Sequence, residues 1–125
     1  MPFETKILFC EPTTASGVWH MKLEGHMDMG PTLDAVEKRV SDAIRDGCTW
    51  MIFDVAQIRS FADLGTNSLV FMACELRAVS GGAVLVGLTN RGRVVMECFD
   101  SGLSLFKVCE SFDDALKAIA SARNK

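Results

Sequence analysis

The sequence predicts a mixed α/β fold, in which about four helices pack on a sheet. A segment with an apolar residue at every second position comes early, and segments of helical and of buried-strand character then alternate to the end. The 125 residues suffice for one domain with its own core, and no repeat, linker or low-complexity tract divides them. We therefore expect residues 1–125 to form a single domain with the order β-β-α-β-α-β-α-β-α.

A β-hairpin is predicted at the start of the chain. Lys6–Glu11 contains three consecutive apolar residues and is typical of a strand, and Pro12–Gly17 is rich in turn-forming residues. Val18–Glu24 then alternates between apolar and polar residues, which indicates a strand with one buried face. The two strands and the short turn between them predict the hairpin.

Helices and buried strands alternate in the rest of the sequence. The first helix ends at Gly47, and its apolar stripe consists of Leu33, Val36, Val40, Ala43 and Ile44. Trp50–Val55 and Ala83–Val86 are nearly continuous apolar runs, as in strands that are covered on both faces. A second helix is predicted from about Leu64 to Val79, and a third helix carries Val94, Val95, Cys98 and Phe99. A short strand follows at Leu105–Val108. The last helix opens with Ser111 and Asp114 and buries Leu116 and Ile119.

Charge and cysteine content exclude several classes of function. The net charge is −3, and acidic and basic residues are interspersed, so neither nucleic-acid binding nor a basic membrane-binding stripe is expected. The N-terminal residues do not resemble a signal peptide. Five cysteines without a Cys-x-x-Cys spacing indicate buried or half-buried thiols in a reducing cytoplasm, with no disulfide and no metal.

An ordered set of motifs resembles the STAS domains. The segments that carry the resemblance are Gly25–Asp28 before the first helix, Met51–Val55 leading to Asp63, the Gly82–Gly87 turn and strand, Phe99–Phe106 and Ser111–Leu116. Together they extend over roughly residues 5 to 121. The resemblance implies a STAS-like mixed sheet, and in size the chain is most similar to stand-alone anti-sigma factor antagonists.

The resemblance also implies a partner and a switch. Antagonists of this type bind an anti-sigma factor that is a serine-protein kinase of the GHKL type, and they are not enzymes and need no cofactor. Phosphorylation of a hydroxyl at the start of the second helix breaks that contact, because a phosphate is costly to bury in an interface. The resemblance places the partner-binding residues at Asp28, Asp63, Leu64, Gly65, Thr66, Asn67, Ser68 and Phe71.

The sequence departs from the family at the phosphoacceptor. The family motif reads Asp-Ser-Ser/Thr-Gly, and a gap-free alignment places the acceptor on Gly65, which has no hydroxyl. Either Thr66 or Ser68 is phosphorylated instead, or the domain has no phospho-switch. We favour the second interpretation. A phosphoacceptor must reach a fixed kinase active site, and a shift of one helical residue turns its side chain by about 100°. Asp63 and Thr66 also fit purely structural roles, as a helix cap and a first-turn residue.

The second helix has two candidate faces. Its core stripe is Leu69, Met72, Ala73, Leu76 and Val79. The other side carries Leu64, Asn67, Ser68, Phe71, Cys74 and Glu75. Either this helix is buried on both sides, or Phe71 anchors a partner protein in an apolar patch with a polar rim.

Two alternative functions stay open. Gly87–Val94 is similar to a phosphate-binding P-loop, but Arg93 stands in place of the lysine and Val94 in place of the Mg²⁺-binding hydroxyl. Weak nucleotide binding through Asn90, Arg91 and Arg93 is one alternative. The other is a STAS-type module within a different signalling assembly. The sequence does not decide the oligomeric state, a homodimer included.

Overall fold

The computed structural model describes residues 5–27, 30–61, 63–99 and 105–124. These ranges contain five strands and four helices in the predicted order, which confirms the fold class. The elements are β1 (Thr5–Pro12), β2 (Val18–Met27), α1 (Gly30–Arg45), β3 (Trp50–Phe61), α2 (Asp63–Ala78), β4 (Gly82–Val86), α3 (Asn90–Phe99), β5 (Phe106–Cys109) and α4 (Phe112–Arg123).

The strands form one mixed sheet with the order β1-β2-β3-β4-β5. β1 pairs antiparallel with β2, as the predicted hairpin requires, and the pairing contains a bulge between Ile7 and Phe9. The pairs β2–β3, β3–β4 and β4–β5 are all parallel. The connections between the parallel strands contain α1, α2 and α3, and strands that follow one another in the chain are neighbours in the sheet.

Two apolar cores lie on opposite faces of the sheet. The larger core joins the sheet to α1, α2 and α3, and it includes Phe53 of β3 and Met96 of α3. The smaller core joins the sheet to α4, where Ala115 and Ile119 pack near Ile52 and Val84. Successive residues of β3 point to opposite faces, so both of its faces are buried, as its continuous apolar sequence predicts. None of the four described helices has the length and apolar character that a membrane span requires.

The third strand is six residues longer than the sequence predicts. Beyond Val55 the strand continues to Phe61, and this extension pairs with a similarly extended end of β2. The predicted strand ended at Val55, and the polar residues Gln57 and Arg59 interrupt the apolar run beyond it. Both are exposed, whereas Ile58 between them is buried. The extension matters for function because it carries the chain directly to the start of α2.

Two residues of the predicted helical core are placed differently. Val79 follows the last residue of α2 and is 38% exposed, so its assignment to the core is wrong. In α4, Ala115 is buried together with Ile119, whereas Leu116 is only partly buried. Ser111 caps this helix as predicted: its hydroxyl accepts a hydrogen bond of 3.1 Å from the backbone N–H of Asp114.

His20 of β2 lies between two aromatic rings on the α4 side of the sheet. Its ring meets Phe9 edge-on at 4.9 Å and Phe112 at 4.6 Å, measured between ring centroids. Nε2 is buried and has no hydrogen-bond partner among the described residues. Burial therefore lowers the pKa of His20 below its ordinary value.

This environment predicts that the folded protein loses stability as the pH falls. In the unfolded chain His20 takes up a proton at about pH 6.5, its ordinary pKa. In the folded protein the pKa is lower, so the proton is taken up only at lower pH. Between these two values the unfolded state binds more protons, so the free energy of unfolding decreases with falling pH, by up to about 1.4 kcal/mol per pH unit for one proton. Denaturant titrations between about pH 7.5 and about pH 5.5 measure this slope. His20→Phe keeps an aromatic ring at this position and should reduce the slope; equal slopes in both proteins would contradict the assignment.

Candidate partner-binding surface

An apolar inner face fixes α2 on the sheet. Leu69, Met72, Ala73 and Leu76 are each 0% exposed and belong to the larger core. The helix also contacts α1 and α3. Only a narrow outer stripe of α2 is therefore available to a partner.

The first turn of α2 lies directly against the end of β2. A Cβ atom added at Gly65 would overlap the backbone carbonyl of Met27 and come within 2.6 Å of the Met27 Cβ. Backbone atoms cannot move away as a flexible side chain can, so only glycine fits at this position. Gly65 thus determines how close α2 comes to the sheet.

Two hydroxyl residues of the predicted site face inward. Thr66 is 0% exposed and Ser68 is 4% exposed. The sequence named both as partner contacts and as possible phosphorylation sites, but in the described conformation neither side chain is exposed, and those roles stay predictions. Ser68 faces α1, to which its side chain is hydrogen-bonded.

Hydrogen bonds between serine and glutamate side chains link α1 to α2. Ser68 Oγ donates to Glu37 Oε2 at 2.8 Å, and Ser41 Oγ donates to Glu75 Oε2 at 3.3 Å. Each helix supplies one serine and one glutamate, so the two hydrogen bonds form a reciprocal polar seam between α1 and α2. Glu75 Oε1 is buried without a hydrogen-bond partner in the described structure. Part of the face that the sequence assigns to a partner is therefore used within the chain.

The outer stripe of α2 retains one large apolar side chain. Phe71 is 51% exposed, and the side chains of Asn67 and Cys74 are also exposed. Asn67 and Cys74 lie three or four residues from Phe71 and share its side of the helix. Phe71 is thus an apolar side chain at the surface with polar neighbours, so the helix is not buried on both sides; a role of Phe71 as a partner anchor stays a prediction.

Part of the predicted site lies outside the described residues. Asp28 falls in the gap between β2 and α1. The backbone of Asp63 and Leu64 begins α2, but their side chains are outside the described part. Their assignment to a partner contact stays a prediction.

The residues of the P-loop-like segment lie at the start of α3. Asn90, Arg91 and Arg93 are all exposed. Thr89 caps the helix, because its Oγ1 accepts a hydrogen bond of 3.0 Å from the N–H of Gly92. Arg91 lines a cleft that also contains Arg59 at the end of β3, whereas Asn90 and Arg93 do not line it. The sequence alone did not single out Arg59, because the extension of β3 was not predicted.

The cysteines are free thiols, and none of them forms a metal site in the described structure. Cys10 and Cys48 are buried, and burial raises the pKa of Cys48 to about 12. Cys109 is half-buried as expected, but Cys74 and Cys98 are exposed, so the prediction of burial is wrong for these two. Among the described residues, no group of three or more His, Cys, Asp or Glu side chains could hold a metal ion.

Several solved structures share this architecture. The chain superposes on the anti-sigma factor antagonist SpoIIAA in its unphosphorylated form with a TM-score of 0.72, 15% identity, and coverage of 94% of this chain and 96% of the other. An antagonist from Mycobacterium paratuberculosis gives 0.72, 22% identity and coverages of 96% and 97%. A variant of RsbS from Moorella thermoacetica gives 0.76, 11% identity and coverages of 97% and 98%. The chain has the STAS fold. No protein-family model and no curated protein matches the sequence.

Within the STAS fold, residue 65 cannot hold a phosphoacceptor in this backbone. The gap-free alignment places the family's acceptor hydroxyl here, yet any side chain on Gly65 would meet Met27. Such close packing is a role for glycine, and the family motif has its own glycine one position after the acceptor. If Gly65 corresponds to that glycine, the acceptor position falls on Leu64, which also has no hydroxyl.

The contact with Met27 predicts that Gly65→Ala destabilises the protein. The added methyl group must displace α2 or the end of β2, so we expect the free energy of unfolding to fall by about 1–3 kcal/mol. Chemical denaturation followed by circular dichroism measures this loss. Asn67→Ala on the exposed side of the same helix is the matched control and should change stability by no more than about 0.5 kcal/mol. Similar effects of the two substitutions would disprove the packing role of Gly65.

Proposed function

We propose that this chain is a non-catalytic regulator that binds an anti-sigma factor, a serine-protein kinase of the GHKL type, through the outer stripe of α2. The observation that carries the proposal is the exposure of Phe71 on a helix that is otherwise packed on three sides. Large aromatic side chains are common anchors of protein interfaces. In the proposed complex, Phe71 enters an apolar pocket of the kinase, and Asn67 lies at the rim.

The structural neighbours support the class of partner. Two of the three superposed proteins are described as anti-sigma factor antagonists, and all three match over nearly their whole length. A chain with the same fold can present the same kind of helical surface to a partner. The proposal places the protein in the cytoplasm, where sigma factors act.

We further propose that binding is not controlled by phosphorylation at the start of α2. Neither Gly65 nor Leu64 has a hydroxyl, so both alignments of the family motif leave the acceptor position without one. The nearest hydroxyls, on Thr66 and Ser68, are buried, and Ser68 already bonds Glu37. A kinase active site could reach Ser68 only if α2 moved away from α1, and Thr66 only in a conformation that exposes it. Control of the complex would then depend on protein abundance or on another signal.

The first test is a charge introduced at the centre of the proposed interface. Phe71→Asp should weaken binding to a GHKL anti-sigma kinase from the same genome by about thirtyfold or more, because an unpaired carboxylate would replace an aromatic anchor. Isothermal calorimetry with the purified kinase measures the affinity. Val79→Asp is the matched control: Val79 is also an exposed apolar residue, but it follows the opposite end of α2. It should leave the affinity unchanged, and unchanged binding by Phe71→Asp would refute the proposed surface.

The second test concerns the phospho-switch. After incubation of the folded chain with the kinase and ATP, intact-mass spectrometry should show no added phosphate. A STAS antagonist that carries serine at the acceptor position, incubated with its own kinase, shows that the assay detects the modification. Phosphate on Thr66 or Ser68 would contradict the proposal and would require a conformation in which that hydroxyl is exposed.

A further inference from the structure

A cleft opens at the amino ends of three parallel strands, at the opposite end of the sheet from the start of α2. Its volume is about 420 Å³, within the range of small-molecule sites. Trp50 begins β3, Gly82 begins β4 and Phe106 begins β5, and all three line the cleft. Arg77 from the last turn of α2 and Ala122 from the end of α4 complete the border. The cleft therefore lies between the two helical layers, away from the outer stripe of α2.

Trp50 contributes a large aromatic side chain to the lining of this cleft. The side chain is half-buried, because it packs against the smaller core beneath α4. On its other side, a Cβ atom added at Gly82 would come within 2.8 Å of the Trp50 ring carbon Cζ3. Glycine at position 82 thus lets the ring lie close against β4, where a larger residue would push it away. The indole ring is held between the core and the backbone of β4.

Two positive charges border the cleft without a counter-charge. Arg77 and Lys107 are exposed and come from different elements, α2 and β5. Within the described part of the chain, neither side chain forms an ion pair or a hydrogen bond. No acidic residue is among the described residues of the lining. The two charges repel each other, and an anion bound between them would remove this repulsion.

The ends of two helices oppose these positive charges only in part. The last turns of α2 and α4 border the cleft, and the carboxyl end of a helix carries a partial negative charge of about half a unit. The two ends together amount to about one negative charge. Two full positive charges exceed this sum, so the local field favours an anion over a cation.

We propose that this cleft binds a small aromatic carboxylic acid. Arginine and lysine side chains form charge-assisted hydrogen bonds with carboxylate oxygens, and Arg77 and Lys107 can approach one carboxylate from two elements. The aromatic ring of the ligand packs against the indole of Trp50, since aromatic pairs gain more than their buried area alone provides. The ligand needs both parts, because the cleft combines a flat apolar surface with two cations. This proposal does not depend on the proposed function.

A ligand series tests the two parts of the ligand separately. We would titrate the ¹⁵N-labelled full chain with indole-3-acetate, indole-3-acetamide and acetate at constant ionic strength, and follow the resonances by NMR. With indole-3-acetate we expect saturable shifts of the Gly82 and Lys107 amides and of the Trp50 indole N–H. The indole N–H of Trp19 is an internal control, because Trp19 packs against the core on the other face of the sheet.

The two analogues decide what the cleft recognises. The acetamide lacks the charge and acetate lacks the ring, so each should bind at least about tenfold more weakly than indole-3-acetate. Equal affinity of the acetamide would contradict recognition of a carboxylate. Equal affinity of acetate would contradict recognition of an aromatic ring.

Matched variants separate a site from general charge attraction. Arg77→Gln and Lys107→Gln should each weaken the binding of indole-3-acetate about tenfold or more, since each removes a charged hydrogen-bond donor. Arg93→Gln and Lys117→Gln are the controls, because Arg93 and Lys117 are also exposed but do not line the cleft. All four side chains are exposed, so the variants should fold, and their spectra check this directly. Shifts that do not saturate, unchanged binding by either cleft variant, or an equal loss of affinity in the controls would overturn the proposal.

Discussion

The close approach of Gly65 to the Met27 carbonyl determines where α2 sits, and several other features follow from it. With the first turn of α2 against the end of β2, the apolar residues of its inner face reach the sheet; these are Leu69, Met72, Ala73 and Leu76. Phe71 is then left on the outside. A larger residue at position 65 would force α2 or the end of β2 to move, and either movement would disturb the packing of the core. One glycine thus connects the packing of the core to the surface proposed for binding.

The seam between α1 and α2 gives this arrangement its polar component. Ser68 and Ser41 each bond a glutamate of the opposite helix, at two levels along the seam. Buried side-chain hydrogen bonds contribute modestly to stability, but they favour one arrangement of the two helices over others that would leave polar groups unpaired. The same bonds keep hydroxyl groups away from solvent. A structural requirement between two helices therefore keeps Ser68 buried in the described conformation.

The order of the helices and strands could be predicted from the sequence, but not which side of every helix and strand is buried. Alternation in β2 and the continuous apolar runs of β3 and β4 identified strands, because burial on one or both faces leaves a direct pattern in the sequence. The extension of β3 was missed, since its alternating polar residues occupy an exposed face that is also compatible with a loop. The burial of Ser68 was missed for a related reason: a serine on a helix does not reveal whether a neighbouring helix supplies its hydrogen-bond partner. Arg59 was not singled out either, because it lines the cleft beside α3 only as part of the longer strand.

The two margins of the sheet have a consequence for assembly. β5 has four residues, and β1 is interrupted by the bulge between Ile7 and Phe9. Short or irregular edge strands are poor templates for hydrogen bonding to another chain. The sheet therefore resists growth by strand addition into fibrils at either margin.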